Sequence, residues 1–282
     1  MSEGSNAEQI EYWNEVSGPK WVAMQEELDE QLEPLQGALI AYIGAKSGDA
    51  ILDIGCGCGA TSLALAGIVG AGGSVTGLDI SRPMLDRAMQ RGEQAGRENI
   101  SFEEGDAQTQ VLDDAAYDIV TSRFGIMFFA DPLTAFVNFK SSLKADGCLT
   151  FMCWRSMQEN PWMTVPVMAA SKHIELPPPP EPGAPGPFAF ADKERLGGLL
   201  RDAGFASVEI EGFDNEMTMG RGSDLDESIE FITKIGPLSR LLQDADGETV
   251  EKVKRAIREA VKPYQTSNGV ELGAAVWLVK AK

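Results

Sequence analysis

Three acids spaced along the first half of this chain are the residues best placed to do chemistry. Asp53, Asp79 and Asp106 each stand where a strand-like run ends, and Asp53 leads directly into Gly55-Cys56-Gly57-Cys58-Gly59-Ala60. Glycines at alternate positions let a backbone approach a ligand closely, because glycine lacks a Cβ and tolerates φ > 0. The helix-compatible run behind them aims its first N–H groups at whatever the loop holds. Gly55-x-Gly57-x-x-Ala60 fits the dinucleotide fingerprint, and Asp79 lies near the distance expected of a ribose contact. A nicotinamide or flavin oxidoreductase is therefore one reading. Asp53 favours another. A carboxylate at the mouth of the loop repels a pyrophosphate and suits an amine. S-adenosylmethionine carries an α-ammonium, a sulfonium, a ribose and an adenine, and no phosphate. On this reading Asp53 faces the ammonium, the loop N–H groups serve the carboxylate end, Asp79 accepts from the ribose hydroxyls and Asp106 from the adenine amino group. Each acid also has a plainer role. Asp53 can be a strand-end acid held by backbone donors, Asp79 a helix cap (which Ser81 fills better), and Asp106 a turn aspartate after Gly105.

Further candidates are few. His173 is the only histidine, beside a proline-rich stretch, so it is the one candidate base for a substrate pocket, and its plainer reading is an exposed side chain. Arg123 follows a strand and can touch cofactor or a substrate anion. Trp13 and Trp21 can close over the cofactor or simply pack. Phe128 and Trp154 can line a substrate pocket, as can Phe188 and Phe190. No residue earns a catalytic assignment. Cys56 and Cys58 form a C-x-C, but with Cys148 and Cys153 in another strand and one histidine, no metal site is expected.

These residues need elements to position them. Ala50–Ile54, Ser74–Leu78, Ile100–Glu103, Tyr117–Ser122 and Cys148–Trp154 read as strands. Helices over Thr61–Val69, Ser81 to about Gln94, and from Pro132 behind an Asp131 cap separate them. Alternation of this kind predicts an α/β fold with a doubly wound parallel sheet. In such sheets ligands bind outside the carboxyl ends of the strands, where all three acids fall. Before this core, Trp21, Met24, Leu28, Leu32 and Leu35 share a helical face. Gly18-Pro19 is expected to interrupt upstream, and Pro34 to start another helix. After it, 177–187 holds seven prolines and can be neither helix nor central strand. A helix from Asp192 to Ala203, a strand Phe205–Phe213, helices Ser228–Ile235 and Thr249–Val261, and a final strand Ala274–Val279 complete the chain.

With the acids and glycines in place, residues 50–130 resemble the class I S-adenosylmethionine-dependent methyltransferases. Asp53-x-Gly55-x-Gly57-x-Gly59 is similar to that family's first motif, and Leu78-Asp79-Ile80-Ser81-x-x-Met84-Leu85 to its second. Gly105-Asp106-Ala107 is similar to the third, and Tyr117-Asp118-Ile119-Val120 with Phe124 to the fourth-strand motif. The nearest flavour is the small-molecule branch resembling ubiquinone and menaquinone biosynthesis enzymes. The resemblance implies a seven-stranded, mostly parallel sheet whose last strand runs antiparallel. It also implies S-adenosylmethionine as cofactor, with Ile80, Met84, Ala107 and Phe124 joining the cofactor-binding set. It says little of the segments before 45 and between 155 and 270, which set substrate in this family.

The division expected is a helical lid over 1–45, a cofactor-binding core over 46–155, a proline-rich insertion over 156–190 and a core helix and strand over 191–213. A helical cap over 214–270 and a core strand over 271–282 follow. Net charge is −19 over 282 residues, and no Lys/Arg cluster offsets it. Nucleic acid is thus a poor partner, since an acidic surface repels phosphate backbones. No run approaches a membrane span, and four cysteines make no disulfide framework. A cytoplasmic enzyme that moves a methyl group to an O, N or C atom of a small molecule, by in-line displacement, is the expectation. An NAD(P)-dependent oxidoreductase and a non-catalytic binding module are the alternatives. Oligomeric state is open.

Overall fold

The computed structural model describes residues 6–220, 222 and 224–282. Its strands are β1 (Ala50–Ile54), β2 (Ser74–Asp79), β3 (Ile100–Glu104), β4 (Tyr117–Arg123), β5 (Leu143–Trp154), β6 (Val208–Met219), β7 (Gln265–Thr266) and β8 (Gly269–Ala281). They form one sheet in the order β3-β2-β1-β4-β5-β8-β6, with the two-residue β7 paired to β8. β1 to β5 are parallel, whereas β8 is antiparallel to both β5 and β6. The seven-stranded plan with an antiparallel last strand is therefore present.

The helices are α1 (Ala7–Glu11), α2 (Ser17–Ala23), α3 (Gln25–Ile43), α4 (Ala60–Val69), α5 (Arg82–Gln94) and α6 (Pro132–Ser142). After them come α7 (Pro161–Ala170), α8 (Lys193–Asp202), α9 (Leu225–Lys234), α10 (Gly236–Leu241) and α11 (Gly247–Val261). Strand order runs outward from β1 through β2 in one direction and from β4 through β5 in the other. That order puts α4 and α6 on opposite faces and the topological switch point, where such sheets bind ligands, between β1 and β4. Asp131 and Asp192 cap α6 and α8 as expected, accepting from Thr134 N and from Glu194 N and Arg195 N. Among the described residues no helix is long and apolar enough to cross a membrane.

Several expectations need correction. Pro34 does not start a helix; it lies exposed inside α3. A proline in a helix interior costs about 3 kcal/mol. Leu28, Leu32, Leu35, Leu39 and Ile43 recur on one face on both sides of it and are all buried, at about 1.5–3 kcal/mol for each side chain. Tertiary burial wins. Gly18-Pro19 does not interrupt either. Pro19 sits in the first turn of α2, where its missing N–H is harmless, and a π-helical turn, Tyr12–Val16, joins α1 to α2. The break falls instead at Met24, between α2 and α3. Asp146-Gly147 lies within β5 rather than in a turn outside it. The β4 register jumps from Tyr117 opposite Leu143 to Ile119 opposite Cys148, so residues 144–147 bulge out. Finally, β6 and β8 are longer than expected. Asp214 to Met219 belong to β6 and Gly269 to Gly273 to β8, paired along their length. Among the described residues α9, α10, α11 and the short β7 lie between them.

Candidate functional site

The loop after β1 is built by close backbone approaches. Gly55, Gly57 and Gly59 have φ of 64°, 55° and 79°. A Cβ on Gly55 would lie 2.6 Å from Gly125 Cα, in the turn behind β4, so the two loops meet backbone to backbone. The loop's N–H groups do not stand open. Gly55 N and Cys56 N both donate to Leu78 O, and Gly57 N donates to the Asp79 carboxylate at 2.8 Å. The expectation that these N–H groups serve an anionic ligand is thereby corrected for three of them: β2 has taken them up. Burial pushes the Cys58 thiol up to about 12 and the Cys56 thiol well above its usual range, so neither supplies a thiolate.

Asp53 is buried, at 1% exposure. Its Oδ2 accepts from Ser62 Oγ at 2.5 Å, the first turn of α4 having turned that hydroxyl inward, while Oδ1 has no partner. Burial raises its pKa from 3.8 to about 7; the Ser62 bond and the nearby Arg123 guanidinium pull the other way. Asp79 binds Gly57 N with one oxygen and Ser81 N with the other, each at 2.8 Å. Burial holds its pKa above the usual carboxylate value despite those bonds. Asp106 accepts from Gln108 N and Thr109 Oγ1 within its own turn, and from Asn6 Nδ2 with both oxygens at 3.0 Å.

Residues 6–18 run as a strap across this edge. Asn14 donates to Ile80 O and accepts from Arg82 N, the first N–H of α5. Ser81 occupies the N-cap position of α5 but does not cap with its side chain. Its Oγ is turned to Trp13 O, 2.8 Å away, and Asn14 supplies the oxygen that Ser81 was expected to give. Gly18 makes this contact possible, since a Cβ there would fall 2.4 Å from Ser81 Oγ. Met84 is buried beneath the loop, its Cε 2.9 Å from where a Gly57 Cβ would be. Ala107 is buried, and its carbonyl accepts from Asn138.

Aromatic side chains form two walls. Trp13 meets Phe128 edge-on at 5.3 Å and Trp21 at 6.2 Å. Phe124 stacks on Trp154 at 4.2 Å with an interplanar angle of 8°, and Trp154 leans on Trp162. Phe124 has φ of 67°, a left-handed backbone that a phenylalanine rarely adopts. Arg123, just before it, has a buried Nη1 with no partner, and burial lowers its pKa. Two candidates stand apart. His173 is exposed in the turn after α7, where its backbone N–H, rather than its ring, is bonded, to Ala170 O. Phe190 is core, packed on Phe136. Asn6, Asn14, Ser62 and Trp162 were missed in the sequence. Ser62 could have been found as the polar residue one turn into α4 that faces Asp53; a lone asparagine far upstream offers no such signal.

These residues fit S-adenosylmethionine better than a dinucleotide. A bound ammonium would satisfy the orphaned Asp53 oxygen, whereas a pyrophosphate would meet N–H groups already spent and the Asp53 and Asp79 carboxylates. The known proteins agree. A family model described as "Methyltransferase domain" matches residues 45–204. The demethylmenaquinone methyltransferase of Staphylococcus epidermidis is 30% identical over 202 residues, covering 65% of this chain and 79% of its own. The YcgJ protein of Bacillus subtilis shares the fold with a TM-score of 0.57 at 16% identity, over 87% of this chain and 96% of its own. So does phosphoethanolamine N-methyltransferase 2 of Haemonchus contortus, solved with phosphomonomethylethanolamine and S-adenosylhomocysteine. Its TM-score is 0.54 at 17% identity, over 88% of this chain and 52% of that one. Acids at the ends of β1, β2 and β3, a glycine loop closed on β2 and this family match lead to one assignment: the chain belongs to the class I S-adenosylmethionine-dependent methyltransferases.

Proposed function

We propose that the protein transfers the methyl group of S-adenosylmethionine, by in-line displacement at carbon, to an O, N or C atom of a small, largely apolar, ring-bearing acceptor. The observation that carries this reading is the buried, unpaired Asp53 Oδ1, opposite Thr121 of β4, with Thr121 Oγ1 and Arg123 Nη1 also lacking a partner. The cofactor supplies an electrophilic methyl on a sulfonium. The chain's residues bind and orient. Asp53 takes the ammonium and Asp79 the ribose hydroxyls, using lone pairs that Gly57 N and Ser81 N leave over. Asp106 takes the adenine amino group. Arg123 takes the carboxylate, with the Nη1 that has no protein partner.

Aromatic faces stabilise a cation and exclude water, and the Phe124–Trp154–Trp162 and Trp13–Phe128 walls offer such faces. They also support a flat acceptor. Holding nucleophile and methyl about 3 Å apart on one axis is the main catalytic task. The chain's one histidine, His173, is exposed in the turn after α7, and the reading gives it no role as base. The name of the staphylococcal relative gives one acceptor to try, demethylmenaquinone.

The test is mass spectrometry of a metabolite extract, and of demethylmenaquinone, after incubation with S-adenosylmethionine labelled in its methyl group. A labelled product together with S-adenosylhomocysteine supports the reading. Tight cofactor binding with no labelled product across a broad panel supports a binding module instead.

A further inference from the structure

Asp106 has no acceptor capacity left. A carboxylate has about four lone-pair positions, and four contacts fill them. Gln108 N and one Asn6 contact are on Oδ1, and Thr109 Oγ1 and the other Asn6 contact are on Oδ2. Two of these are local to the turn. The other two come from one amide a hundred residues away in sequence, itself buried at 6% exposure. Its orientation is fixed from both sides. Ala130 N donates to Asn6 Oδ1 at 3.0 Å, so a flipped amide would face an N–H with its NH2 group and a carboxylate with its carbonyl.

We propose that Asn6 is a built-in occupant of the adenine subsite, whose NH2 group holds Asp106 in place of the cofactor's amino group, so that the strap must release before the cofactor binds fully. This rests on the reading of Asp106 as the adenine acceptor. The two donors are alike in chemistry: a planar NH2 presenting two hydrogens. They cannot both be served by a carboxylate whose remaining positions are taken by its own turn. Asn6 begins a strap tied down twice more, through Asn14 to Ile80 O and Arg82 N and through Trp13 O to Ser81 Oγ. Releasing the amide therefore loosens one end of a segment that spans the ribose and adenine sides of the site. A protein whose binding-competent form is only a fraction of the whole binds with its affinity reduced by that fraction. Removing Asn6 raises that fraction.

The experiment measures S-adenosylhomocysteine and methylthioadenosine binding to wild type, Asn6→Ala and Asn6→Asp, by calorimetry and by stopped-flow tryptophan fluorescence. Both ligands carry adenine, so both should bind the alanine variant about tenfold more tightly, the size of one charge-assisted hydrogen bond released. The aspartate variant sets two carboxylates face to face and should shift the same way. In wild type the observed binding rate should level off with ligand concentration, at the rate of strap release, and the ceiling should rise in both variants. Unchanged or weaker binding in both variants, with wild type binding normally, overturns the proposal and leaves the cofactor reading standing. No binding of either ligand to any of the three overturns the cofactor reading and the proposal with it.

Discussion

The two halves of the molecule satisfy their polar groups in opposite ways. From β1 to β4, two acids at the carboxyl edge keep acceptor capacity: buried Asp53 lacks one partner, and half-buried Asp79 is held by two backbone N–H groups. From α7 onward the buried polar groups are mostly closed. Asn160, fully buried, donates to Ala275 O and accepts from Ala275 N and Trp162 Nε1, locking α7 to β8. Around it the packing is apolar, with Met163, Val167, Ile229, Ile232, Leu238, Val253 and Ile257 buried between α7, α9, α10 and α11. An unmet buried polar group costs free energy, so the first half carries a deficit, which at Asp53 and Arg123 the proposed cofactor contacts would meet. Among the described residues the second half carries one, Ser228 Oγ, and on the proposed reading it encloses.

The largest effect that sharpens this contrast is at Asp79. Asp79→Ala removes the acceptor of Gly57 N and Ser81 N as well as the proposed ribose contact. Two hydrogen bonds to a charged group are worth about a hundredfold or more in affinity. Calorimetry with S-adenosylhomocysteine reads it, and circular dichroism checks that the sheet persists. Retained affinity would mean that the deficit at the carboxyl edge has nothing to do with the cofactor.

Next comes Arg123→Met, which keeps the length of the stem and removes the charge. S-adenosylhomocysteine should lose about ten- to a hundredfold in affinity, the range of a charge-assisted bond. Methylthioadenosine, which has no carboxylate, should bind as before. Equal losses for both ligands would assign Arg123 to the scaffold.

How much of this was legible follows the same divide. The cofactor half could be read because backbone constraints force residue types: only glycine fits where Gly55 meets Gly125, and acids end β1 and β2. The strap could not. Asn6 and Asn14 act through contacts that span 100 and 66 residues, and nothing local marks an asparagine as the partner of a distant turn. Pro34 misled because local propensity was outweighed by burial spread over the whole of α3. The extra lengths of β6 and β8 were hidden because Asp214, Asn215 and Glu216 look like a loop, and only pairing with Ala275, Ala274 and Gly273 makes them a strand.

A smaller effect comes from pH. Asp53 titrates near 7 in the closed protein because burial disfavours its charge. Between 3.8 and about 7 the folded form therefore holds a proton that the unfolded form has lost, and stability falls as pH rises through that window. Ligand affinity moves the other way. The ionised carboxylate binds an ammonium, so affinity for S-adenosylhomocysteine should rise by up to about tenfold per pH unit from 5.5 to 7, then flatten. Asp53→Asn should remove the slope, and methylthioadenosine should lack it in wild type. Calorimetry in buffers of different ionisation enthalpy would also show proton release on binding below pH 7.

The smallest effect belongs to the half from α7 onward. If that half only encloses, its one histidine has no chemical task. His173→Gln should then leave kcat/KM within about twofold of wild type and the pH profile of kcat unchanged, because a general base is worth about a hundredfold or more. The ring is exposed beyond α7, and the residues nearest it in sequence lead into the proline run. A loss above tenfold, with a profile that loses an inflection, would show that this half brings a proton acceptor to the acceptor molecule. The contrast between a half that binds and a half that encloses would then fail where the sequence offers its only candidate base.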